Sequence, residues 1–120
     1  MCKLCKTNTE DNEHLIHLCD NVKNIWDITS RIVKFDIKWK HILIGFYHEH
    51  NKKIVTLNNF ISTISTVIYK YKMFCRIKEI EENVESMESH IKASCKIYSH
   101  IYKKINVDLS NMFNKLYDTL

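Results

Sequence analysis

Residues 54–78 read IVTLNNFISTISTVIYKYKMFCRIK, and this stretch decides the fold. Its apolar side chains recur at alternating steps of four and three residues, a spacing that places them along one side of an α-helix. The chain has one glycine and no proline, whereas sheet-rich folds use both in their many turns. The pattern therefore predicts a long helix over about residues 54–78. The stripe consists of Ile54, Leu57, Ile61, Ile64, Ile68, Tyr71 and Cys75.

A second stripe with the same spacing follows over residues 80–105. Two such stripes joined by a short polar stretch favour two antiparallel helices packed together. One long interrupted helix that dimerises is the alternative. The β-branched residues between positions 61 and 68 also suit a strand. The second stripe consists of Val84, Met87, Ile91, Ser94, Tyr98, Ile101 and Ile105.

The rest of the chain also has helical periodicity. Residues 21–33 predict an amphipathic helix whose start Asp20 can cap, and residues 109–120 predict a last helix capped by Asp108. A basic connector, 34–53, lies between the helix over 21–33 and the long helix that begins near residue 54. Within it, Trp39 to Tyr47 form either a short helix or an extended segment. We therefore expect an all-α fold, with a helical hairpin or bundle over residues 34–120 whose helices span about 54–78, 80–105 and 109–120.

Composition bounds the classes of function. With 18 basic and 14 acidic residues the formal charge is +4, which permits contact with phosphate without requiring it. The chain has no run of about 20 apolar residues, so no transmembrane helix is predicted. The N-terminus lacks the apolar core of a signal peptide. We expect an intracellular protein, in the cytoplasm or nucleus, with no membrane partner. In that reducing compartment the five cysteines are expected to be metal ligands or free thiols.

Residues 2–19 contain the pattern C-x2-C-x8-H-x4-C, formed by Cys2, Cys5, His14 and Cys19. Structural zinc sites combine a C-x2-C pair with a second pair three to five residues apart, around a tetrahedral ion. The pattern predicts a Zn²⁺-stapled helical motif in residues 1–33, where zinc supplies on the order of 10 kcal/mol of apparent folding free energy. His17 is the rival fourth ligand, because it lies one helical turn from His14.

The segment CKLCKTNTEDNEHLIHLCDNVKNIWDI, residues 2–28, resembles the zinc-binding region that follows the polymerase domain in non-LTR (LINE-type) retrotransposon reverse transcriptases. WKHILIGFY at 39–47 and IYKYKMFCRIKEI at 68–80 resemble the segment beyond that region. The resemblance implies a C-terminal fragment of a longer enzyme that helps to hold template RNA or target DNA beside the polymerase. The match runs through Cys2, Cys5, Glu13, His14, Leu15, Ile16, Cys19 and Trp26.

Basic residues next to aromatic ones point to a nucleic-acid surface. In Tyr69-Lys70-Tyr71-Lys72 the alternation suits RNA or single-stranded DNA, since bases stack on aromatic rings while lysines meet phosphates. The alternative is an amphipathic helix with a solvated basic face. The predicted contacts are Lys3 and Lys6 beside the first cysteine pair, and Lys70, Lys72 and Arg76 on the long helix.

The other cysteines and histidines predict less. Cys75 and Cys95 fall on or near the apolar stripes and are expected to be core thiols. His48 and His50 are predicted to lie in a solvated loop, and an exposed metal site is the alternative.

No polymerase carboxylate pair, P-loop, GxSxG or HExxH motif occurs in the sequence. We therefore expect a chain that is not an enzyme, although the parent protein implied by the resemblance is an RNA-directed DNA polymerase. The predicted function is a non-catalytic zinc-binding module that assists binding of RNA or single-stranded DNA. The alternative is a zinc-stabilised helical module for protein interaction or homodimerisation through the long helices. A small thiol enzyme is a third hypothesis.

Overall fold

The structure is a computed structural model that describes residues 13–46 and 52–120. A π-helical turn, His14–Leu18, is followed by the helices α1 (Lys23–Val33), α2 (Trp39–Ile44), α3 (Lys52–Ile77), α4 (Val84–Tyr102) and α5 (Val107–Thr119). All regular elements in these two ranges are helical, which confirms the all-α class. Residues 61–68 lie inside α3, so the strand alternative is wrong. None of the helices in the described ranges is long and apolar enough to cross a bilayer.

Helices α3 and α4 form an antiparallel hairpin. Near one end the Asn59 amide nitrogen lies 3.5 Å from the Tyr102 hydroxyl, and near the other the Tyr71 ring lies 5.2 Å from the His90 ring. The α3 residue nearer the N-terminus contacts the α4 residue nearer the C-terminus, so the two helices are antiparallel. The hairpin prediction is confirmed, and the alternative of one long interrupted helix is wrong for the described residues.

The hairpin turn is longer than the sequence predicts, and α4 is shorter than 80–105 at both ends. Helix α3 ends at Ile77, and Glu79, two residues later, has a left-handed φ of 56°. The Ile80 amide donates to the Cys75 carbonyl (2.9 Å). This is a Schellman ending, which usually has glycine at the left-handed position. Asn83 then caps α4, since its side chain accepts a hydrogen bond from the Ser86 amide (2.8 Å).

Tyr71 joins the end of α3 to the start of α4. Its hydroxyl accepts from the Asn83 amide (3.0 Å) and donates to the Asn83 carbonyl (3.2 Å). We expect Tyr71→Phe to lower the free energy of unfolding by about 1–2 kcal/mol, because the two hydrogen bonds between the buried Tyr71 side chain and the Asn83 backbone are lost. Urea unfolding measures the loss. Tyr69→Phe, on the exposed side of α3, is the control and should change stability by less than about 0.5 kcal/mol; equal losses would contradict the role given to Tyr71.

Helix α5 returns along α4 and completes a three-helix bundle. The Ser110 hydroxyl donates to the Ser99 carbonyl (2.6 Å). The Phe113 ring lies 5.1 Å from Phe60 on α3 and 5.5 Å from Tyr98 on α4. Aromatic rings from all three helices therefore meet at Phe113, which is the centre of the bundle.

The start of α5 differs from the sequence prediction. Asn106, rather than Asp108, caps the helix, because its side chain accepts from the Leu109 amide (3.1 Å). The Asn106 amide nitrogen also donates to the Thr56 hydroxyl (2.9 Å). Asp108 lies in the first turn instead, where its charge favours the helix dipole. Asn106 thus both starts α5 and fixes it to α3.

The N-terminal part of the described chain packs on the bundle. Val22 precedes α1 without a side-chain cap, and Asp20, predicted as the cap, instead lies exposed with its carboxylate 3.9 Å from the Lys23 ammonium. The Trp26 indole donates to the Ile16 carbonyl (2.7 Å), which ties α1 to the π-helical turn. Buried side chains from Cys19 to Leu116 form one continuous core. The π-helical turn is therefore held against a folded bundle.

The connector before α3 contains a short helix, α2, which ends at Gly45. The φ of Gly45 is +76°, and a Cβ there would lie 2.9 Å from the Asn58 side chain. Glycine is needed at position 45, because a side chain disfavours this φ and because a Cβ would be too close to Asn58. The close approach lets Asn58 pair with the backbone of Phe46 in both directions, at 2.7 and 2.9 Å, which fixes the connector to α3.

Candidate functional site

His14 and Cys19 lie at the two ends of the π-helical turn. The Cys19 amide donates to the His14 carbonyl at 2.8 Å, an i→i+5 hydrogen bond that defines this rare helix type. In an α-helix, a five-residue step would point the two side chains about 140° apart at 3.6 residues per turn. A hydrogen bond over five residues widens the turn, so positions 14 and 19 are separated by a smaller angle than in an α-helix. Both side chains are buried, at the two ends of this turn.

His17 occupies a separate place on the same turn. Its ring lies 6.2 Å from the Trp26 ring and 6.5 Å from the Trp39 ring, and its Nε2 lies 3.3 Å from the Ile37 carbonyl oxygen. Its Nδ1 is buried and has no hydrogen-bond partner among the described residues. Zinc-bound histidines commonly donate their second ring nitrogen to a backbone carbonyl. His17 therefore remains the alternative ligand, and otherwise it holds the connector against the π-helical turn.

The remaining members of the predicted zinc site, Cys2 and Cys5, lie outside the described residues, as do Lys3 and Lys6. Within residues 13–46 and 52–120, no three His, Cys, Asp or Glu side chains gather closely enough to hold a metal ion. His14 and Cys19 would therefore need both N-terminal cysteines to complete a tetrahedral site. His48 and His50 also lie outside the described residues.

The basic residues predicted on α3 do not share one face. Lys70 is exposed and Arg76 is half-buried, whereas Lys72 is fully buried, with 0% of its surface accessible. Successive residues of a helix are 100° apart, so the alternation Tyr69-Lys70-Tyr71-Lys72 spreads over most of the helix circumference. The prediction that Lys72 contacts nucleic acid is therefore wrong for this conformation. The contacts predicted for Lys70 and Arg76 remain predictions.

Lys72 is an unusual core residue. Its ammonium nitrogen has no hydrogen-bond partner among the described residues, which makes its burial costly. We expect Lys72→Met to raise the free energy of unfolding by about 1–3 kcal/mol, because a similar stem remains and the unsatisfied polar group is removed. Thermal unfolding measures the gain. The control, Lys70→Met on the exposed face, should change stability by no more than about 0.5 kcal/mol. A destabilised Lys72→Met protein would contradict the burial.

A basic groove, which no local sequence pattern predicts, lies between α1 and α5. It encloses about 400 Å³. Ile28 and Ile32 form part of its apolar lining, and Arg31, Lys34 and Lys115 supply three positive charges against the one negative charge of Asp118. Its basic residues come from segments about 80 positions apart in the chain, and only the packing of α5 on α1 brings them together. The groove is a candidate contact for an anionic backbone.

Cys75 and Cys95 are both buried in the core, which confirms the interpretation of them as core thiols. Burial raises the pKa of the Cys95 thiol to about 12. At neutral pH that thiol therefore stays protonated, whereas nucleophiles and metal ligands require the thiolate. This counts against a role for Cys95 in thiol chemistry.

Comparisons of the chain with protein-family models, with curated proteins and with solved structures found no match. The feature of the described residues that bears most on function is the buried pair His14 and Cys19, at the two ends of the π-helical turn.

Proposed function

We propose that this chain is a non-catalytic zinc-binding module that assists binding of RNA or single-stranded DNA. The π-helical turn between His14 and Cys19 carries the proposal, because both side chains are buried at its two ends and are separated by a smaller angle than in an α-helix. The C-x2-C pair of Cys2 and Cys5 supports it by supplying the two missing ligands. The resemblance of residues 2–28 to the zinc-binding region of non-LTR reverse transcriptases supports the same function.

Zinc would act here as a structural crosslink. Its four protein ligands would leave no open coordination position, so the ion would not activate a water molecule. Cys2 and Cys5 would be joined through the ion to His14 and Cys19, directly before α1. Because Trp26 ties α1 to the π-helical turn, the crosslink would connect the first residues of the chain to the bundle core. Lys3 and Lys6, beside the two cysteines, would then be held close to the folded surface.

Nucleic-acid binding would come from several small basic areas. Lys3 and Lys6 flank the zinc ligands in sequence, and Lys70 is exposed on α3. The groove between α1 and α5 adds Arg31, Lys34 and Lys115. With a net charge of only +4, such contacts support weak binding without sequence preference, with dissociation constants of about 10⁻⁴–10⁻⁶ M at physiological salt.

A fluorescence titration of zinc-loaded protein into labelled single-stranded RNA and DNA, at two salt concentrations, tests the proposal. Affinity should fall as salt rises, with a logarithmic slope of about −0.7 for each phosphate neutralised. The double variant Lys3→Gln/Lys6→Gln should weaken binding more than the matched control Lys52→Gln/Lys53→Gln, which removes the same charge elsewhere. No binding at low salt, with zinc retained and the helical spectrum intact, would refute the nucleic-acid function.

The alternative function is a zinc-stabilised helical module for protein interaction or dimerisation. One observation favours it: α4 exposes Ile97 and Ile101, whose burial would require another molecule. An apolar helix interface would keep its affinity as salt rises, whereas phosphate contact would lose it. The same salt series with a protein partner in place of RNA therefore separates the two functions.

A further inference from the structure

The outer side of the α3–α4 hairpin exposes large apolar side chains on both helices. On α4, Ile97 is 59% exposed and Ile101 is 50% exposed; they are four residues apart and so adjacent on one face. On α3, Phe74 is 47% exposed and Ile77 is 79% exposed. We name these four residues the hairpin stripe.

The two halves of the hairpin stripe lie on the same side of the hairpin. The Phe74 ring approaches the His90 ring on α4, with centroids 6.4 Å apart. His90 precedes Ile97 by seven residues, or about two helical turns, and so occupies the same face of α4. The exposed apolar surface therefore runs from the turn end of the hairpin along α4 toward its C-terminus.

The charges around this surface are divided between its two ends. Residues 76–88, at the turn end, contain five glutamates against Arg76 and Lys78, a net charge of −3. Residues 92–104, toward the other end, contain four lysines and no acidic residue. The helix dipole favours this order within the first and last turns of α4. It does not account for Glu79 and Glu81, which precede the helix, or for Lys103 and Lys104, which follow it.

We propose that a second copy of this chain covers the hairpin stripe, with the two α4 helices antiparallel about a two-fold axis. A surface that is acidic at one end and basic at the other is complementary to itself only in this orientation, because each acidic end then faces a basic end. A parallel pair would place like charges together at both ends.

The arrangement accounts for the exposed isoleucines. When Glu85 of one copy lies beside Lys104 of the other, the two-fold axis passes between residues 94 and 95. Ile97 and Ile101 of both copies then lie within about two helical turns of that axis. The apolar side chains meet at the centre, with charges at the rim, as in most protein interfaces. This dimer deepens the alternative function. It depends neither on the zinc site nor on nucleic acid, so failure of the nucleic-acid function would leave it unaffected.

Sedimentation equilibrium of the zinc-loaded full chain tests the dimer. Wild-type protein should show twice the chain mass as concentration rises. Ile97→Asp should raise the dissociation constant about tenfold or more, because it places a charge at the apolar centre. Ile44→Asp, at an isoleucine of α2 that is 63% exposed, is the matched control and should leave the dimer intact. A wild-type chain that stays monomeric at the highest concentration, or an equal loss from both variants, would overturn the proposal.

Charge reversal tests the antiparallel orientation. Glu81→Lys/Glu85→Lys changes the net charge of residues 76–88 from −3 to +1, and Lys103→Glu/Lys104→Glu changes that of residues 92–104 from +4 to 0, so neither variant keeps opposite charges at the two ends. Each double variant alone should dimerise at least about tenfold more weakly than wild type, whereas an equal mixture of the two should associate as a heterodimer. Circular dichroism checks that each variant keeps its helices. If the mixture associates no better than the separate variants, the antiparallel arrangement is wrong.

Discussion

Cys19→Ala is expected to abolish zinc binding and to remove the zinc-dependent part of the stability of the N-terminal region. Cys19 is fully buried and lies at the end of the π-helical turn that pairs it with His14. Structural zinc contributes on the order of 10 kcal/mol of apparent folding free energy in small motifs, so this is the largest effect that a single substitution should produce. Thermal unfolding with zinc and with excess chelator measures the zinc-dependent part for each protein.

Cys95→Ala is the matched control, because Cys95 is as buried as Cys19 and loses the same atoms. The Cys95→Ala protein should lose stability only because of the small cavity that the substitution leaves. Its unfolding temperature should still fall when chelator is added. In Cys19→Ala, chelator should have no further effect, while helices α3, α4 and α5 should persist in the circular dichroism spectrum because the contacts of Phe113 with Phe60 and Tyr98 do not involve the zinc ligands. A chelator response that survives in Cys19→Ala would show that Cys19 is not a ligand.

Phe113→Ala is expected to lower the free energy of unfolding by about 3–5 kcal/mol. The Phe113 ring is almost completely buried and lies between Phe60 of α3 and Tyr98 and Tyr102 of α4. Its removal leaves a cavity at the point where all three helices of the bundle meet. Urea unfolding followed by circular dichroism measures the change.

The control for this prediction is Phe35→Ala. Phe35 is 48% exposed and packs outside the bundle, with its ring 4.7 Å from Phe46. Phe35→Ala should lower the free energy of unfolding by about 1 kcal/mol, the usual scale for substitution of a partly exposed residue. If both variants lost the same stability, Phe113 would not be the centre of the bundle.

The long helices could be predicted because their information is local. The stripe that includes Ile61, Ile64 and Ile68 repeats with the period of a helix, and α3 follows it closely, at Lys52–Ile77. The ends of α4 could not be predicted, because glycine does not mark them. The left-handed position after α3 is Glu79, and the caps of α4 and α5 are asparagines whose neighbours give no stronger signal than the rest of the chain.

The site could be predicted in part. The spacing of His14 and Cys19 predicts a ligand pair, whereas the π-helical turn between them has no visible signal in the sequence. The alternation of aromatic and basic residues around Lys72 predicts a surface position for this lysine. In the structure, the packing of the helices buries Lys72 in the core. The groove formed by Arg31, Lys34 and Lys115 depends on how α5 packs on α1, and residues so far apart in sequence carry no local pattern.

The zinc content of the chain, purified without chelator, tests the central claim most directly. We predict one zinc ion per chain in the wild-type protein, loss of that ion in Cys5→Ser and His14→Ala, and its retention in His17→Ala. Loss in His17→Ala with retention in His14→Ala would show that His17 is the fourth ligand. A helical wild-type chain that contains no zinc, and takes up none when zinc is added, would contradict the account.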